Sequence, residues 1–587
     1  MIFKRTVVVI VLIGIPATPA AKDAQNSKLP IVEAVVIEGN RVISTGDLRR
    51  LMYTRTDPWY GIFPGADERR FDSLVFRSDV NRIAAHYRDL GYLEAVVDTV
   101  VERYRPGFVR IRVRIKEGGP VVVSDVRLEV LPADTAVDSV RLVSGLKTRP
   151  GRPLTRMGRE ADLKLISDRL QNDGHAFARV VAQVSRRGDV AHVRYLATPG
   201  PVCRFGSVRI EGNQRVSKGL IHRGLTFREG DAYRKKDLLD SRLQLHRSEA
   251  FRSVSVSLPD SVEMVSPVDV SIVVRERPPR RLKLGAGFDT EEKLRGLLAW
   301  RHRSFMGGDA RQLNFESSAS ALEVMARVGV RQPYILGSRT WLELTGFVEQ
   351  ERPKEVRVKR GGASAALERT FRATGRVVFE ARTEVVEFAL DSTRATFSVE
   401  YLEDRRDDVF DPQRGLLAEL AVRAAGFRQF LKVSGEARWY RRLFWKSVLA
   451  LRVSGGLVLN EGSIEAIPSF ERFFAGGSNS VRGWRLNRLG PRDAKGEPLG
   501  GRSVLEGSIE VRARLLPGFG LAAFMDAGAV GTDRYAAFEP RRMRVAAGVG
   551  VRYLNPISPL RLDFAYRLSD DPGEPRRRVF FSLGQAF

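Results

Sequence analysis

The carboxyl half of the chain alternates apolar and polar residues with a period of two from Arg281 to Phe587. In one such segment Val545 and Val551 fall on one face, with Arg544 and Arg552 on the other. Successive side chains of a β-strand point to opposite faces of its sheet, whereas a helix repeats about every 3.6 residues. The pattern therefore predicts a long series of strands that are apolar on one side and polar on the other.

Two architectures satisfy this alternation. In a soluble sandwich the apolar face meets a second sheet, and in a membrane barrel it meets lipid while the polar face lines a wet interior. The 307 residues from Arg281 to Phe587 allow roughly 19 residues for each of about 16 strands and its connection, which suits spanning strands of about 9 to 11 residues. Because lipid offers no partners for backbone N–H and C=O groups, a spanning sheet must also close.

The amino terminus favours the membrane alternative. Lys4 and Arg5 precede an apolar run from Thr6 to Ile15, and small residues follow, so residues 1–21 are predicted to be a secretory signal peptide. An uncleaved anchor is the alternative, but about ten apolar residues cover only about half of a bilayer core. Elsewhere no run approaches the roughly 20 apolar residues of a spanning helix, so a helical membrane protein is not expected. We expect residues 280–587 to form an all-β transmembrane barrel of about 16 antiparallel strands.

The amino-terminal half contains an internal repeat. The segment Val35–Asn40 reappears as Val208–Asn213, and a weaker copy lies at Val126–Val130. Apolar residues at helical spacing follow each copy, and two alternating strands and a Pro/Gly stop come next. The sequence thus predicts three α+β modules of strand, helices, strand and strand, over residues 29–120, 121–201 and 202–279. The predicted buried helix positions are Val80, Ile83, Ala84, Tyr87 and Leu90; Leu163, Ile166 and Leu170; and Leu239, Leu243 and Ala250.

The predicted modules have an open sheet edge. A small sheet with helices on one face leaves an edge strand that can accept an extended peptide by strand addition. We therefore predict that the modules bind a peptide or partner. The alternative is a row of spacers that bind nothing.

Two motifs near the carboxyl end predict a contact between a loop and the barrel wall. A carboxylate that faces the interior prefers a cationic partner, and arginine forms a forked pair with it. Arg482 is therefore the predicted partner of Asp526, and Gly483 and Gly528 would allow the two backbones to approach closely. The residues alone favour the alternative, an exposed arginine on a mobile loop, and the pairing is what the family resemblance given below implies. The motif residues are Val481, Arg482, Gly483 and Trp484 in the loop, and Phe524, Asp526 and Gly528 in the strand.

These repeats and motifs resemble those of the BamA and TamA superfamily. Its members carry polypeptide-transport-associated (POTRA) modules before a barrel, and the repeat with its Gly-Asn turn resembles such a module. The loop motif of the superfamily normally ends in Phe or Tyr, where this chain has Trp484. The layout of three modules is most similar to TamA.

The resemblance implies an outer-membrane protein whose modules lie in the periplasm. It implies a factor that receives unfolded outer-membrane protein precursors on the modules and inserts or translocates them through a laterally opening barrel. The implied partners are these precursors, membrane lipids, and an inner-membrane partner that spans the periplasm or else lipoproteins. One alternative is a two-partner-secretion pore for a specific exoprotein, and another is a passive channel with a scaffold.

The resemblance also implies a weak lateral seam between the first and last strands of the barrel. Gly285 and Gly287 lie in the first strand and Gly584 in the last, and glycine weakens a strand because it has no side chain to pack. The chain ends on the aromatic Phe587, which suits either a terminal insertion signal or an interfacial aromatic girdle. A seam with few stable pairs could open and template an incoming strand.

Other function classes are disfavoured by the composition. The net charge is +27, but Lys and Arg are dispersed over both halves rather than gathered in one patch, so no nucleic-acid partner is predicted. The six histidines lack metal-ligand spacing, and Cys203 is the one cysteine. The sequence contains neither a phosphate loop nor a nucleophile elbow. We therefore predict no enzyme activity, no metal and no cofactor.

Overall fold

The computed structural model describes most of the chain as three small sheets followed by one large sheet. The described residues are 29–56, 70–132, 137–258, 266–351, 358–371, 374–388, 390–426, 430–444, 447–516, 518–553, 560–571 and 574–583. The predicted signal peptide at residues 1–21, and Gly584 and Phe587 of the predicted seam, lie outside these ranges.

Each module is a three-stranded sheet with two helices packed on one face. The strand orders are β1-β3-β2, β4-β6-β5 and β7-β9-β8, and in each sheet the first and last strands of the module run parallel. This arrangement confirms the predicted α+β class. The elements are β1 Ile31–Glu38, α1 Thr45–Leu51, α2 Ser73–Asp89, β2 Val96–Arg105 and β3 Phe108–Lys116; β4 Val122–Val130, α3 Ser139–Val143, α4 Arg156–Asn172, β5 Arg179–Arg187 and β6 Val190–Thr198; and β7 Phe205–Glu211, α5 Lys218–Arg223, α6 Lys235–Arg247, β8 Phe251–Ser257 and β9 Val268–Glu276.

The Gly-Asn repeat is a tight turn that the first and third modules share. In the third module Gly212 has φ +84°, and a Cβ there would lie 2.1 Å from the carbonyl oxygen of Val274, so the position requires glycine. Asn213 donates from Nδ2 to the carbonyl oxygen of Val216 at 3.0 Å, which fixes the next turn. The Glu276 carboxylate then accepts three backbone N–H groups at 2.8 Å each, from residues 214–216. The repeated Gly-Asn sequence is therefore required for a turn at which the chain passes very close to the backbone of β9.

The predicted helix faces are right in two modules and partly wrong in the third. Ile83 and Ile166 are fully buried, as expected. In α6, however, Leu239 is 48% exposed, and Leu238 and Leu245 face the core instead. The apolar spacing indicated the wrong side because two residues of the buried face, Ser241 and Gln244, are polar. None of the helices in the described residues is long and apolar enough to cross a membrane.

The large sheet has 16 antiparallel strands, each paired with its neighbour in sequence, which confirms the predicted barrel fold and strand number. Apolar side chains such as Met525 and Phe564 are exposed on its outer face, while Asp526 and Asp563 are buried inside. The strands are β10 Arg280–Asp289, β11 Lys293–His302, β12 Gln312–Ala319, β13 Glu323–Pro333, β14 Thr340–Glu351, β15 Val358–Phe371, β16 Gly375–Phe388, β17 Leu390–Asp404, β18 Gly415–Ala425, β19 Phe430–Arg442, β20 Ser447–Leu459, β21 Ser503–Leu516, β22 Phe519–Gly531, β23 Arg544–Tyr553, β24 Leu560–Arg567 and β25 Arg577–Leu583.

The third module is docked on the barrel end at which β10 begins. Tyr334, in the β13–β14 turn, is buried and donates its hydroxyl to the carbonyl oxygen of Gln244 in α6 at 2.8 Å. The backbone N–H of Ser217 donates to the carbonyl oxygen of Gly308 in the β11–β12 turn, also at 2.8 Å. The same interface contains ion pairs of Arg339 with Asp240, Arg223 with Asp309 and Arg301 with Glu249. This module therefore has a fixed place at one mouth of the barrel.

Candidate functional site at the folded loop and the seam

The connection between β20 and β21 folds back into the barrel. Its residues Val481 and Trp484 are fully buried and pack with Val504, Val530 and Ala546 of the barrel wall. Three-residue 3-10 helices at Ile464–Ala466 and Ser469–Glu471 begin the loop, and several glycines at positive φ let it turn sharply. The loop thus places its central motif inside the barrel.

Arg482 forms a forked ion pair with Asp526. The guanidinium donates from Nε to Asp526 Oδ2 at 2.7 Å and from Nη2 to Oδ1 at 2.9 Å, and the Arg482 backbone N–H donates to Oδ2 at 3.0 Å. The Arg482 side chain is 1% exposed and its central carbon lies 3.4 Å from the ring centroid of Phe524. Two charge-assisted hydrogen bonds and a cation–π contact therefore hold the loop against β22.

The arginine also contacts two carboxylates outside the predicted motifs. Arg482 Nη1 lies 2.6 Å from Glu510 of β21 and 3.4 Å from Asp563 of β24. Two further arginines balance these carboxylates, because Arg512 pairs with Glu510 at 2.7 Å and Arg552 with Asp563 at 2.5 Å. A buried charge network thus joins the loop to four strands, β21 to β24. Glu510 could have been identified from the sequence, because it lies on the polar, inward face of β21 together with Glu506, Ser508 and Arg512.

The two motif glycines lie where a side chain would collide. Gly483 has φ +124°, and a Cβ there would lie 2.8 Å from the Cβ of Ala546. At Gly528 a Cβ would lie 2.6 Å from Cγ2 of Val481. The close approach of loop and wall therefore depends on both glycines.

The first and last barrel strands form a seam without a ladder. In the described residues β10 pairs with β11 and β25 pairs with β24, but no register pairs join β10 to β25. The backbone N–H of Thr290 donates to the carbonyl oxygen of Phe581 at 3.1 Å, and the rings of Phe288 and Phe581 lie 6.5 Å apart between centroids. Gly285 and Gly287 lie on β10 at this edge. The described part of the seam is therefore held by far fewer contacts than the ladders beside it.

Two family comparisons bear on this architecture. Residues 306–587 match the Omp85 superfamily domain, and residues 30–118 and 203–277 match the surface antigen variable number repeat, or POTRA. Residues 306–587 of the chain form an Omp85 superfamily domain. With its apolar outer face, the Omp85 barrel makes this an outer-membrane protein. The first and third modules match the POTRA repeat, the second has the same strand order, and all three are called POTRA modules below.

The curated relatives include proteins named outer membrane protein assembly factor BamA. The relative from Neisseria meningitidis is 23% identical over 96% of this chain and 79% of its own length. The one from Nitratidesulfovibrio vulgaris is 23% identical over 95% of this chain and 73% of its own length. The TamA-like layout that the number of modules suggested stays a prediction.

A solved structure shares the fold. The structure of BamA from Haemophilus ducreyi lacking POTRA domains 1–3 is 16% identical, with a TM-score of 0.58 over 79% of this chain and 99% of that one. At this identity the match supports the architecture of a POTRA arm and a 16-stranded barrel.

Trp484 replaces the Phe or Tyr that the loop motif of the superfamily normally has. Its ring is buried, and Nε1 donates to Asp571 Oδ2 at 2.6 Å. The guanidinium carbon of Arg567 lies 5.4 Å from the ring centroid. The larger ring therefore fits, and its N–H makes a hydrogen bond that a phenylalanine could not make.

The described residues contain no group of three or more His, Cys, Asp or Glu side chains that could hold a metal ion. The buried carboxylates of the barrel are instead paired with arginines. Among them, Glu510, Asp526 and Asp563 all contact Arg482. The chemistry of this site is therefore ion pairing that fixes a loop.

Proposed function

We propose that the protein inserts or translocates unfolded outer-membrane protein precursors, which its POTRA modules receive in the periplasm and its barrel admits through the seam between β10 and β25. The BamA relatives named as outer membrane protein assembly factors support this proposal. The absence of a ladder between β10 and β25 in the described residues carries it.

The seam matters because of the surrounding lipid. In hydrocarbon each unpaired backbone N–H or C=O group costs several kcal/mol, so a strand edge gains strongly from a partner. Among the residues that the structure describes, Arg280–Asp289 of β10 have register partners only in β11. An extended segment of a precursor can pair with the other side by strand addition. The seam therefore offers a template inside the membrane.

The POTRA arm supplies edges of the same kind outside the barrel. In the first module β2 lies at a sheet edge, and Val96, Val100 and Tyr104 on it are exposed. An exposed edge with apolar side chains suits an unfolded segment that alternates apolar and polar residues. The docking of the third module at the start of β10 places the arm next to the seam.

Sealing the seam tests this proposal. Phe288→Cys and Phe581→Cys, in a Cys203→Ala background, are joined with a short, cleavable bifunctional thiol reagent in protein reconstituted in liposomes. We expect insertion of a client barrel to stop on cross-linking and to return after cleavage of the linker, because β10 can accept a new partner only when β25 moves away.

The matched control joins Phe564→Cys to Val579→Cys. These two residues are register partners within the β24–β25 ladder, and both face outward. Cross-linking this pair should leave insertion unchanged. Full insertion by the sealed seam would refute lateral admission, and export of an exoprotein by that sealed barrel would favour the secretion pore instead.

A further inference from the structure

The folded loop contacts both sides of the seam at one dipeptide, Ser478-Asn479. On the first side, Glu291 in the β10–β11 turn accepts hydrogen bonds from the backbone N–H of Ser478 at 3.1 Å and from Ser478 Oγ at 2.6 Å. On the last side, Arg561 of β24 donates from Nη2 to the carbonyl oxygen of Ser478 at 2.9 Å and to Asn479 Oδ1 at 2.7 Å. The same guanidinium donates from Nε to Ser582 Oγ of β25 at 2.5 Å.

We propose that these five residues, Glu291, Ser478, Asn479, Arg561 and Ser582, form a seam clasp that keeps the barrel closed from inside, and that withdrawal of the loop is the step that permits the seam to open. The clasp rests on the proposed function, since it regulates the lateral opening described there. Its five residues are distinct from the loop motif Val481–Trp484 and the strand motif Phe524–Gly528.

The local geometry is built for this contact. Gly477 has φ +117°, and a Cβ there would lie 2.8 Å from Glu291 Oε1, so only glycine lets the loop approach the carboxylate. The Glu291 backbone is itself fixed, because its N–H donates to Asp289 Oδ1 at 2.8 Å. The Arg561 side chain is 1% exposed. The glycine at Gly477 and the fixed backbone of Glu291 therefore suit this contact.

The charges of the clasp make its bonds strong. A carboxylate accepts from Ser478 on one side, and a guanidinium donates to the same residue on the other, so one dipeptide links opposite charges across the seam. Hydrogen bonds to charged groups contribute more than neutral ones, particularly out of bulk water. The backbone of the seam supplies one hydrogen bond in the described residues, from Thr290 to Phe581. The clasp therefore adds more hydrogen bonds across the gap than the described strands themselves do.

The clasp couples the seam to the charge network. Arg482 lies four residues beyond Ser478 in the same loop and is held by Asp526. Release of the loop would break the Glu291 and Arg561 contacts together, because both use the Ser478-Asn479 backbone and side chains. One movement would thus free β10 and β25 at once.

The test measures seam closure in the full chain without a client. The cross-linking rate of Phe288→Cys with Phe581→Cys, in the Cys203→Ala background in liposomes, reports how often the two strands are adjacent. We expect Glu291→Ala to slow this reaction roughly tenfold, since a charged hydrogen-bonded group is lost. Ser478→Ala should slow it less, because its backbone N–H and carbonyl remain. Heat-modifiable mobility on gels checks that each variant has a folded barrel.

The matched control is Glu292→Ala. Glu292 lies in the same turn, and its carboxylate accepts from Arg295 at 3.4 Å rather than from the loop. This variant should cross-link at the parent rate. If Glu291→Ala and Ser478→Ala also keep the parent rate, the clasp is wrong, whatever insertion does. If the rate falls while insertion stays independent of seam closure, the clasp stands and lateral admission is refuted.

Discussion

The first POTRA module and the carboxyl-terminal strands of the barrel both bury side chains completely, but these side chains have opposite chemistry. In the module the residues with no exposed surface include Ile83, Tyr87 and Ile111. In the barrel Arg482 and Arg561 are equally inaccessible. The comparison teaches that the modules are stabilised by the burial of apolar surface and the loop site by the mutual compensation of charges.

These two interiors should respond differently to substitution. An apolar core tolerates a swap that keeps volume, since the burial of apolar surface is not directional. A charge network does not, because removing one member leaves its partners buried and uncompensated. Substitutions at three positions separate the two cases.

The largest effect is expected for Arg482→Met, which keeps much of the volume and removes the charge. Asp526 would lose its arginine partner, whereas Glu510 keeps Arg512 and Asp563 keeps Arg552. Loss of one member of a buried ion pair typically costs about 3 to 5 kcal/mol. We expect the loop to leave the barrel wall, seen as rapid hydrogen exchange at residues 474–490. Arg485→Met, at an exposed arginine of the same loop, is the control, and unchanged protection in Arg482→Met would contradict the comparison.

A smaller effect is expected in the first module. Ile111→Ala removes buried methyl groups and should cost about 2 to 5 kcal/mol, whereas Ile111→Val should cost only about 0.5 to 1.5 kcal/mol. Hydrogen exchange of β1, β2 and β3 in the full chain measures both. Equal losses for the two variants would show that this core depends on more than buried apolar volume.

The smallest effect is expected for Glu276→Gln, the charged exception in the third module. Burial alone would raise the pKa of Glu276, but the backbone N–H groups of Val216, Gln214 and Arg215 outweigh it and lower that pKa. The carboxylate therefore stabilises the module above the unfolded pKa of about 4.3, and this stability is lost as pH falls through the lower folded pKa.

At neutral pH the Glu276→Gln substitution should cost about 1 to 3 kcal/mol. It should also flatten the loss of stability below about pH 4.3. Both effects are measured by unfolding the full chain in denaturant at several pH values, with hydrogen exchange at β7 and β9 as the probe. If the stability of the variant falls as steeply with decreasing pH as that of the parent, groups other than Glu276 cause the pH dependence.

Much of the architecture could be predicted from the sequence because it depends on local periodicity. Alternation defined the strands and their inward faces, and the Gly-Asn repeat indicated the modules. The pairing of Arg482 with Asp526 was also expected, because the two residues have opposite charges and the alternation places Asp526 on the inward face of its strand. The structure brings these two side chains together.

The rest depended on which distant segments meet, and periodicity carries no such information. Glu291 and Ser478 are 187 positions apart, and their contact follows from the closure of the barrel. The sharing of Arg482 among Asp526, Glu510 and Asp563 likewise requires three strands and a loop to be placed together. The predicted face of α6 was wrong at Leu239 because Ser241 and Gln244, on the buried face, are polar and add nothing to an apolar pattern.

The docking of the third module has a mechanical consequence. Tyr334 and the backbone of Gly308 hold it on two barrel turns, and Glu249 pairs with Arg301 of β11, the strand next to the seam. The third module is therefore tied to the first hairpin of the barrel. A displacement of this module would act directly on β11, which is paired with β10.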